Sequence, residues 1–208
     1  MSEPVVVFDI GNVLLHWDPR HLYRKLFATE AEVDWFLGNI CTMDWNLMQD
    51  AGRDWAQGVA ELSTRHPEWA AEIAAYDQRW AEMIPGPVMT SVSVLNELNE
   101  SQRKAYAISN ISTEKWAEIQ ALYPFFALFD GVVVSAHEKI LKPDAAIYQI
   151  FLKRYGLAAA ECVFVDDSER NIHAAAALGM KTVHFTPETD LRAALRGHGV
   201  ELQSNAVG

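Results

Sequence analysis

Five short apolar runs, separated by helix-like stretches, constrain the fold of this chain more than any other feature of its sequence. They span Val5 to Asp9, Lys104 to Ser109, Gly131 to Ser135, Cys162 to Asp166 and Lys181 to Phe185. Rich in Val, Ile and Phe and with little polar alternation, they read as strands covered on both faces. The gaps between the later runs each leave room for a crossover helix. An α/β doubly wound parallel sheet is therefore predicted.

Almost a hundred residues lie between the first run and the second, far more than an ordinary crossover uses. A helical unit inserted after the first strand accounts for them. Asp18-Pro19 resembles a cap followed by a first-turn proline, Thr29 with Glu32 forms a capping box, and Pro67 opens a further run to Met83. Ile84-Pro85-Gly86-Pro87 breaks the pattern and marks the return, after which Val88 to Leu98 reads as a helix of the main body. The division expected is a core of residues 1–16 and 84–208 with an insertion of residues 17–83. Six tryptophans, Trp17, Trp35, Trp45, Trp55, Trp69 and Trp80, fall in the insertion at helical spacings and read mostly as the core of a small bundle.

Half of the 208 residues are hydrophobic, enough to bury a substantial core without cross-links. The two cysteines, Cys41 and Cys162, match no metal or redox spacing, so reduced buried thiols in a cytoplasmic protein are expected. No apolar stretch approaches a membrane span, and no basic region precedes the N-terminal run, so neither anchoring nor export is expected. A formal charge of −11 with 17 scattered basic residues argues against a nucleic-acid partner. The same charge repels a phosphorylated small molecule, so a site for one must build a local positive field.

Four segments carry the residues for such a site. Asp9 ends the first strand, where an open α/β sheet forms its ligand crevice, and Gly11 and Asn12 follow at once. Ser109 and Asn110 end the second strand ahead of a helix near Glu114, a place where a hydroxyl and backbone N–H groups can hold phosphate oxygens or simply cap the helix. Lys142 precedes Pro143, which reads as the first turn of a helix stopped by Gly156. Asp166 and Asp167 directly follow a buried strand, and Ser168 reads as the cap of a helix ending at Gly179. Adjacent carboxylates in a cleft repel each other unless a cation or an ammonium relieves them, and magnesium takes oxygen ligands of this kind.

The ordered set FDIGNV, ISN, LKPD and FVDDS resembles the four motifs of haloacid dehalogenase-superfamily hydrolases, over about Val5 to Phe185. The resemblance implies a Rossmann-like core with a helical cap, and within the superfamily the DIGNV form and the SN pair are most similar to bacterial sugar-phosphate phosphatases, including those acting on glucose 1-phosphate. It implies Asp9 as a nucleophile forming an aspartyl-phosphate, magnesium held by Asp9, the Gly11 carbonyl and Asp167 with Asp166 as ligand or behind it, phosphate contacts from Ser109 and the Asn110 backbone, and Lys142 steadying both the nucleophile and the transferring group. The expected partner is a small phosphorylated metabolite.

One position departs from that pattern. Phosphatases of the superfamily mostly carry an aspartate two residues after the nucleophile, where this chain has Gly11. Enzymes that cleave carbon–halogen bonds lack it too, so a dehalogenase is one alternative, although the Asp166-Asp167 pair does not suit a reaction that needs no magnesium. A phosphate-binding protein without turnover is another. His16 and Asp18, further along the same loop, are candidates to supply the missing proton.

Overall fold

The computed structural model describes residues 3–202. Strands β1 (Val5–Phe8), β2 (Ala105–Ser109), β3 (Gly131–Val134), β4 (Cys162–Asp166) and β5 (Lys181–His184) form one sheet in the order β3-β2-β1-β4-β5. Every neighbouring pair is parallel, with Val7 beside Tyr106 on one side and Phe164 on the other. The expected doubly wound sheet is present.

Alternation along the strands explains why they read as continuous apolar runs. Val6, Phe8, Ala107 and Val165 face one side of the sheet, where α6 (Met89–Glu100), α7 (Thr113–Leu122) and α11 (Leu191–Gly197) pack. Val7, Ile108 and Phe164 face the other, against α9 (Ala145–Tyr155) and α10 (Glu169–Ala177). Each of the Val, Ile and Phe side chains contributes about 1.5–3 kcal/mol by leaving water, so both faces are held by apolar burial and charged residues come in where the strands end. The crossover from β3 includes a single turn, α8 (Ser135–Glu138).

The insertion consists of α1 (Arg20–Tyr23), α2 (Glu30–Asn39), α3 (Met43–Asp50), α4 (Trp55–Arg65) and α5 (Ala70–Gln78), with 3₁₀ turns at Pro67–Trp69 and Trp80–Met83. The Thr29 and Glu32 side chains make both bonds of the predicted capping box. Tyr23, Phe36, Trp45, Trp55 and Tyr76 form its aromatic centre, with the Tyr23 and Phe36 rings 4.8 Å apart and those of Trp45 and Tyr76 5.2 Å apart. Not every tryptophan joins it. Trp35 is 49% exposed, and Trp17 and Trp80 line a cleft between the insertion and the sheet. Two adjacent segments connect insertion and sheet: Asp18 N donates to Met83 O, His16 N to Gly86 O, and Val88 N to Leu14 O. The predicted return at Ile84 to Pro87 is one of the two.

Three terminators differ from the sequence expectation. Helix α9 starts at Ala145, not at Pro143, because the Asp144 carboxylate accepts from Ala146 N and takes the cap position for itself. Ser168 precedes α10 as expected, but its hydroxyl makes no capping bond, since its backbone N–H is drawn to Asp166. Helix α1 begins at Arg20, one residue after Pro19, with Asp18 accepting from Arg20 N. The glycine stop is as expected: Gly156 ends α9 in the left-handed conformation that glycine adopts without steric cost.

Candidate active site

Asp9, Ser109 and Asp166 emerge at the same end of three adjacent parallel strands, β1, β2 and β4. The backbone N–H of Asp9 still bonds to Val165 O, so the sheet ladder fixes its position just past β1. Its carboxylate is almost wholly buried. Oδ1 accepts from Ile10 N at 2.7 Å and from Lys142 Nζ at 2.7 Å. No other described contact engages Oδ2.

Lys142 is the centre of the arrangement. Its ammonium also lies 2.7 Å from Asp166 Oδ2, and it is 4% exposed, which rules out a solvated surface lysine. The loop that carries it is held by Asn110, whose Oδ1 accepts from Lys142 N while its Nδ2 donates to Lys142 O. The Asn110 side chain thus positions the lysine, a role separate from the phosphate contact expected of its backbone.

The acidic pair divides into two environments. Asp166 is fully buried, and its Oδ1 accepts from Ser168 N and from Asn171 Nδ2. With Lys142 on Oδ2, both of its oxygens are engaged. Asp167 is partly exposed, its carboxylate is bonded by the Asn12 side chain, and its backbone carbonyl meets His184 Nε2 at 3.0 Å. Carboxylate oxygens of Asp9, Asp166 and Asp167 lie within 4.8 Å of one another.

Three carboxylates share one ammonium here, and the electrostatics show the imbalance. Burial pushes the Asp9 carboxyl up; Lys142 pulls it back, and the charges of Asp166 and Asp167 add to the rise. Asp167 is raised by burial and then by Asp166. Burial pulls the Lys142 ammonium down, but Asp166 and Asp9 outweigh it, so Lys142 stays charged. An all-oxygen donor set with excess negative charge fits a hard divalent cation such as magnesium.

Above the strand ends, the cleft under the insertion is a cavity of about 170 Å³. Gly11, Ser109 and Asn110 line one side of it, and Leu15, Trp17, Trp80, Ile84 and Ile119 make much of the wall. The Trp17 indole N–H is buried there without a partner among the described residues. A Cβ at Gly11 would meet nothing within 4 Å, so sterics do not require a glycine at that position.

The two loop candidates for the missing proton donor are not brought to this cavity. Asp18 accepts from Arg20 N and lines a neighbouring cleft with Pro19 and Arg20, and His16 lines another that also takes in Asn12 and Asp167 of the carboxylate cluster.

Known proteins decide the family. The profile of haloacid dehalogenase-like hydrolases matches residues 4–179. The chain belongs to the haloacid dehalogenase-like hydrolases. It is 31% identical to the sesquiterpene phosphatase astK of Aspergillus oryzae over 86% of this chain and 88% of that one. Its fold matches a haloacid dehalogenase-family enzyme of Bacteroides thetaiotaomicron, solved with magnesium and inorganic phosphate, at a TM-score of 0.74 with 19% identity, covering 92% of this chain and 98% of that one. It also matches the L-2-haloacid dehalogenase of Xanthobacter autotrophicus with chloropropionic acid covalently bound, at 0.65 and 17% identity over 94% and 81%. In this hydrolase, sequence reasoning did not find Asp50, Asn171 or Ser135. Asn171 alone left a local signal, an amide one helical turn past the acidic pair.

Proposed function

We propose that the chain is a magnesium-dependent phosphatase that hydrolyses a small phosphomonoester through an aspartyl-phosphate on Asp9. The observation carrying this reading is Lys142 Nζ at 2.7 Å from both Asp9 and Asp166, with Asp167 in the same carboxylate cluster. Asp9, the Gly11 carbonyl and Asp167 would hold magnesium; Asp166, with both oxygens engaged, would stand behind and fix Lys142. When bound, the ion neutralises charge on the carboxylates and on phosphate oxygens.

The residues of the chain do the rest. Oδ1 of Asp9 is held by Ile10 N–H and Lys142, which leaves Oδ2 to attack phosphorus in line. Ser109 and the backbone after it hold phosphate oxygens, and Lys142 offsets the charge that develops on the transferring group. Water then attacks the aspartyl-phosphate and returns Asp9 to its carboxylate. The division into a core of residues 1–16 and 84–208 and a cap of residues 17–83 belongs to this reading, with the substrate bound between them.

Resemblance in sequence suggests a sugar phosphate. The cavity wall favours an apolar organic group instead, because a sugar hydroxyl left without a partner against Leu15, Ile84 and Ile119 loses its hydration for nothing. The relationship to a sesquiterpene phosphatase supports the same preference. The test is phosphate release from p-nitrophenyl phosphate with magnesium and with EDTA, beside chloride release from 2-chloropropionate, followed by a panel of sugar phosphates and prenyl monophosphates. Magnesium-dependent phosphate release without chloride release is expected, with prenyl esters preferred. Chloride release independent of metal would replace the reading with a dehalogenase, and phosphate binding without release would make the chain a binding protein.

The metal assignment makes its own prediction. Asp167→Ala is expected to weaken magnesium binding and turnover at least tenfold, while melting temperature without metal holds or rises as carboxylate repulsion is relieved. A fall in metal-free stability of several kcal/mol, the scale of breaking a buried pair, would make Asp167 structural.

A further inference from the structure

We propose that Asp50, carried into the site by the insertion, protonates the leaving oxygen of the substrate and so replaces the acid missing at Gly11. The inference rests on the phosphatase reading above.

Position is the first argument. Asp50 ends α3 and lines the same cavity as Gly11, Ser109 and Asn110. Among the residues lining that cavity it alone carries an ionisable side chain. His16 lines an adjoining cleft with Asn12 and Asp167, and Asp18 one that shares Trp17 and Met43 with this cavity, so both are rivals to be separated from Asp50 by experiment.

Orientation is the second. Asn46, one turn earlier on α3, donates to Asp50 Oδ2 at 2.9 Å, and the Ser112 backbone N–H also bonds the carboxyl. The Asp50 carbonyl accepts from Ser135 Oγ at 2.6 Å, and the same hydroxyl accepts from Ile111 N. Asp50 is therefore tied to residues 111 and 112, directly after the Ser109-Asn110 pair. Trp55 Nε1 adds a bond to Ser112 Oγ at 2.8 Å. The Asp50 carboxyl is thus fixed to the loop that follows Ser109 and Asn110, in a cavity with apolar walls, and this is the position assigned to the acid.

Protonation state is consistent with the role. Burial pushes the Asp50 carboxyl up to about 7, against the bonds from Ser112 and Asn46, so much of it holds a proton near neutral pH. Tyr76 of α5 is the ionisable neighbour that feels its charge.

The step balances. Asp9 Oδ2 forms a bond to phosphorus as the ester P–O bond breaks, and the electron pair stays on the leaving oxygen, which takes the Asp50 proton and departs as an alcohol. Asp50, now a carboxylate, accepts a proton from the water that attacks phosphorus. The Asp9 O–P bond breaks, phosphate leaves, and both carboxyl groups regain their starting states.

The experiment measures single-turnover rates at saturating ester with magnesium, for phosphates of graded leaving-group acidity from p-nitrophenol to benzyl alcohol. Hydrolysis of p-nitrophenyl phosphate by the wild type tests the phosphatase reading separately. Wild type is expected to show a nearly flat dependence on leaving-group acidity. Asp50→Asn, isosteric with the protonated acid, is expected to be steep, its benzyl-to-nitrophenyl rate ratio falling about 10²–10⁴-fold, while His16→Ala and Asp18→Ala keep the wild-type slope. Equal losses on both esters in Asp50→Asn, or a steep slope in either loop variant, would overturn the assignment. If circular dichroism shows Asp50→Asn unfolded, the wild-type slope decides: a steep one leaves no acid to assign.

Discussion

Asp9→Asn is expected to fold normally and to retain less than roughly one per cent of wild-type phosphatase activity, since covalent catalysis ends when its nucleophile is an amide. The isosteric amide keeps an oxygen for Lys142 and Ile10 N, so the bonds that place residue 9 survive. Without metal the variant is expected to be at least as stable as wild type, because it removes a charge whose burial already works against ionisation. Rapid mixing with p-nitrophenyl phosphate provides the decisive measurement. Wild type should show acid-labile phosphate attached to protein, and the variant none. Turnover in a folded Asp9→Asn protein at a tenth of wild type would remove the covalent mechanism.

Lys142→Met is expected to combine loss of activity with the largest loss of stability of any single change in the site. Nothing else described pairs with Asp9 Oδ1 apart from Ile10 N–H, and Asp166 is fully buried. Removing the ammonium leaves two buried carboxylates facing each other, a situation that costs about 3–5 kcal/mol when one partner of a buried pair is deleted. The pH dependence has a definite sign. Without Lys142 to pull it down, the Asp9 carboxyl rises further above its unfolded value near 3.8, so above that pH the folded protein holds more protons than the unfolded chain. Stability is then lost as pH rises, but wild-type Asp9, already raised to about 8, follows the same course up to that pH, so urea titrations should find the variant's deficit larger at pH 9 than at pH 6. A deficit that is equal at both, or under 1 kcal/mol, would show that the ion-pair cluster does not bear on stability.

How much of this was readable follows from the range of each signal. Asp9 and the Asp166-Asp167 pair sit at the ends of apolar runs, where a polar residue interrupts a local pattern, so their place in the crevice could be read without knowing the fold, whereas Lys142 lies in a loop and stands out only by its place before Pro143. The five strands were readable for the same reason, to within a residue at their ends. Terminators were less so: Pro143 and Asp144 both suit a helix start, and only the bond from Ala146 N chooses Asp144. Asp50 was not readable at all. In MDWNLMQD it is one more polar residue at the end of a helix, and no local rule states that this end meets Ile111 and Ser112, some sixty residues later. The tryptophans divide likewise, since helical spacing places Trp45 and Trp17 alike in a bundle, while one is buried there and the other lines the cleft.

The position of β1 in the sheet sets the order in which this protein can assemble. Synthesised first, Val5–Phe8 becomes the central strand, yet its partners β2 and β4 begin at Ala105 and Cys162. The helices of the insertion close local contacts and can form early, whereas the pairing of β1 waits for loop closures that are entropically slow. Throughout that interval two unpaired edges of an apolar strand stay open to other chains. Aggregation that grows with expression rate, and that is relieved at low temperature or by a chaperone binding extended apolar segments, is the behaviour expected of such a topology.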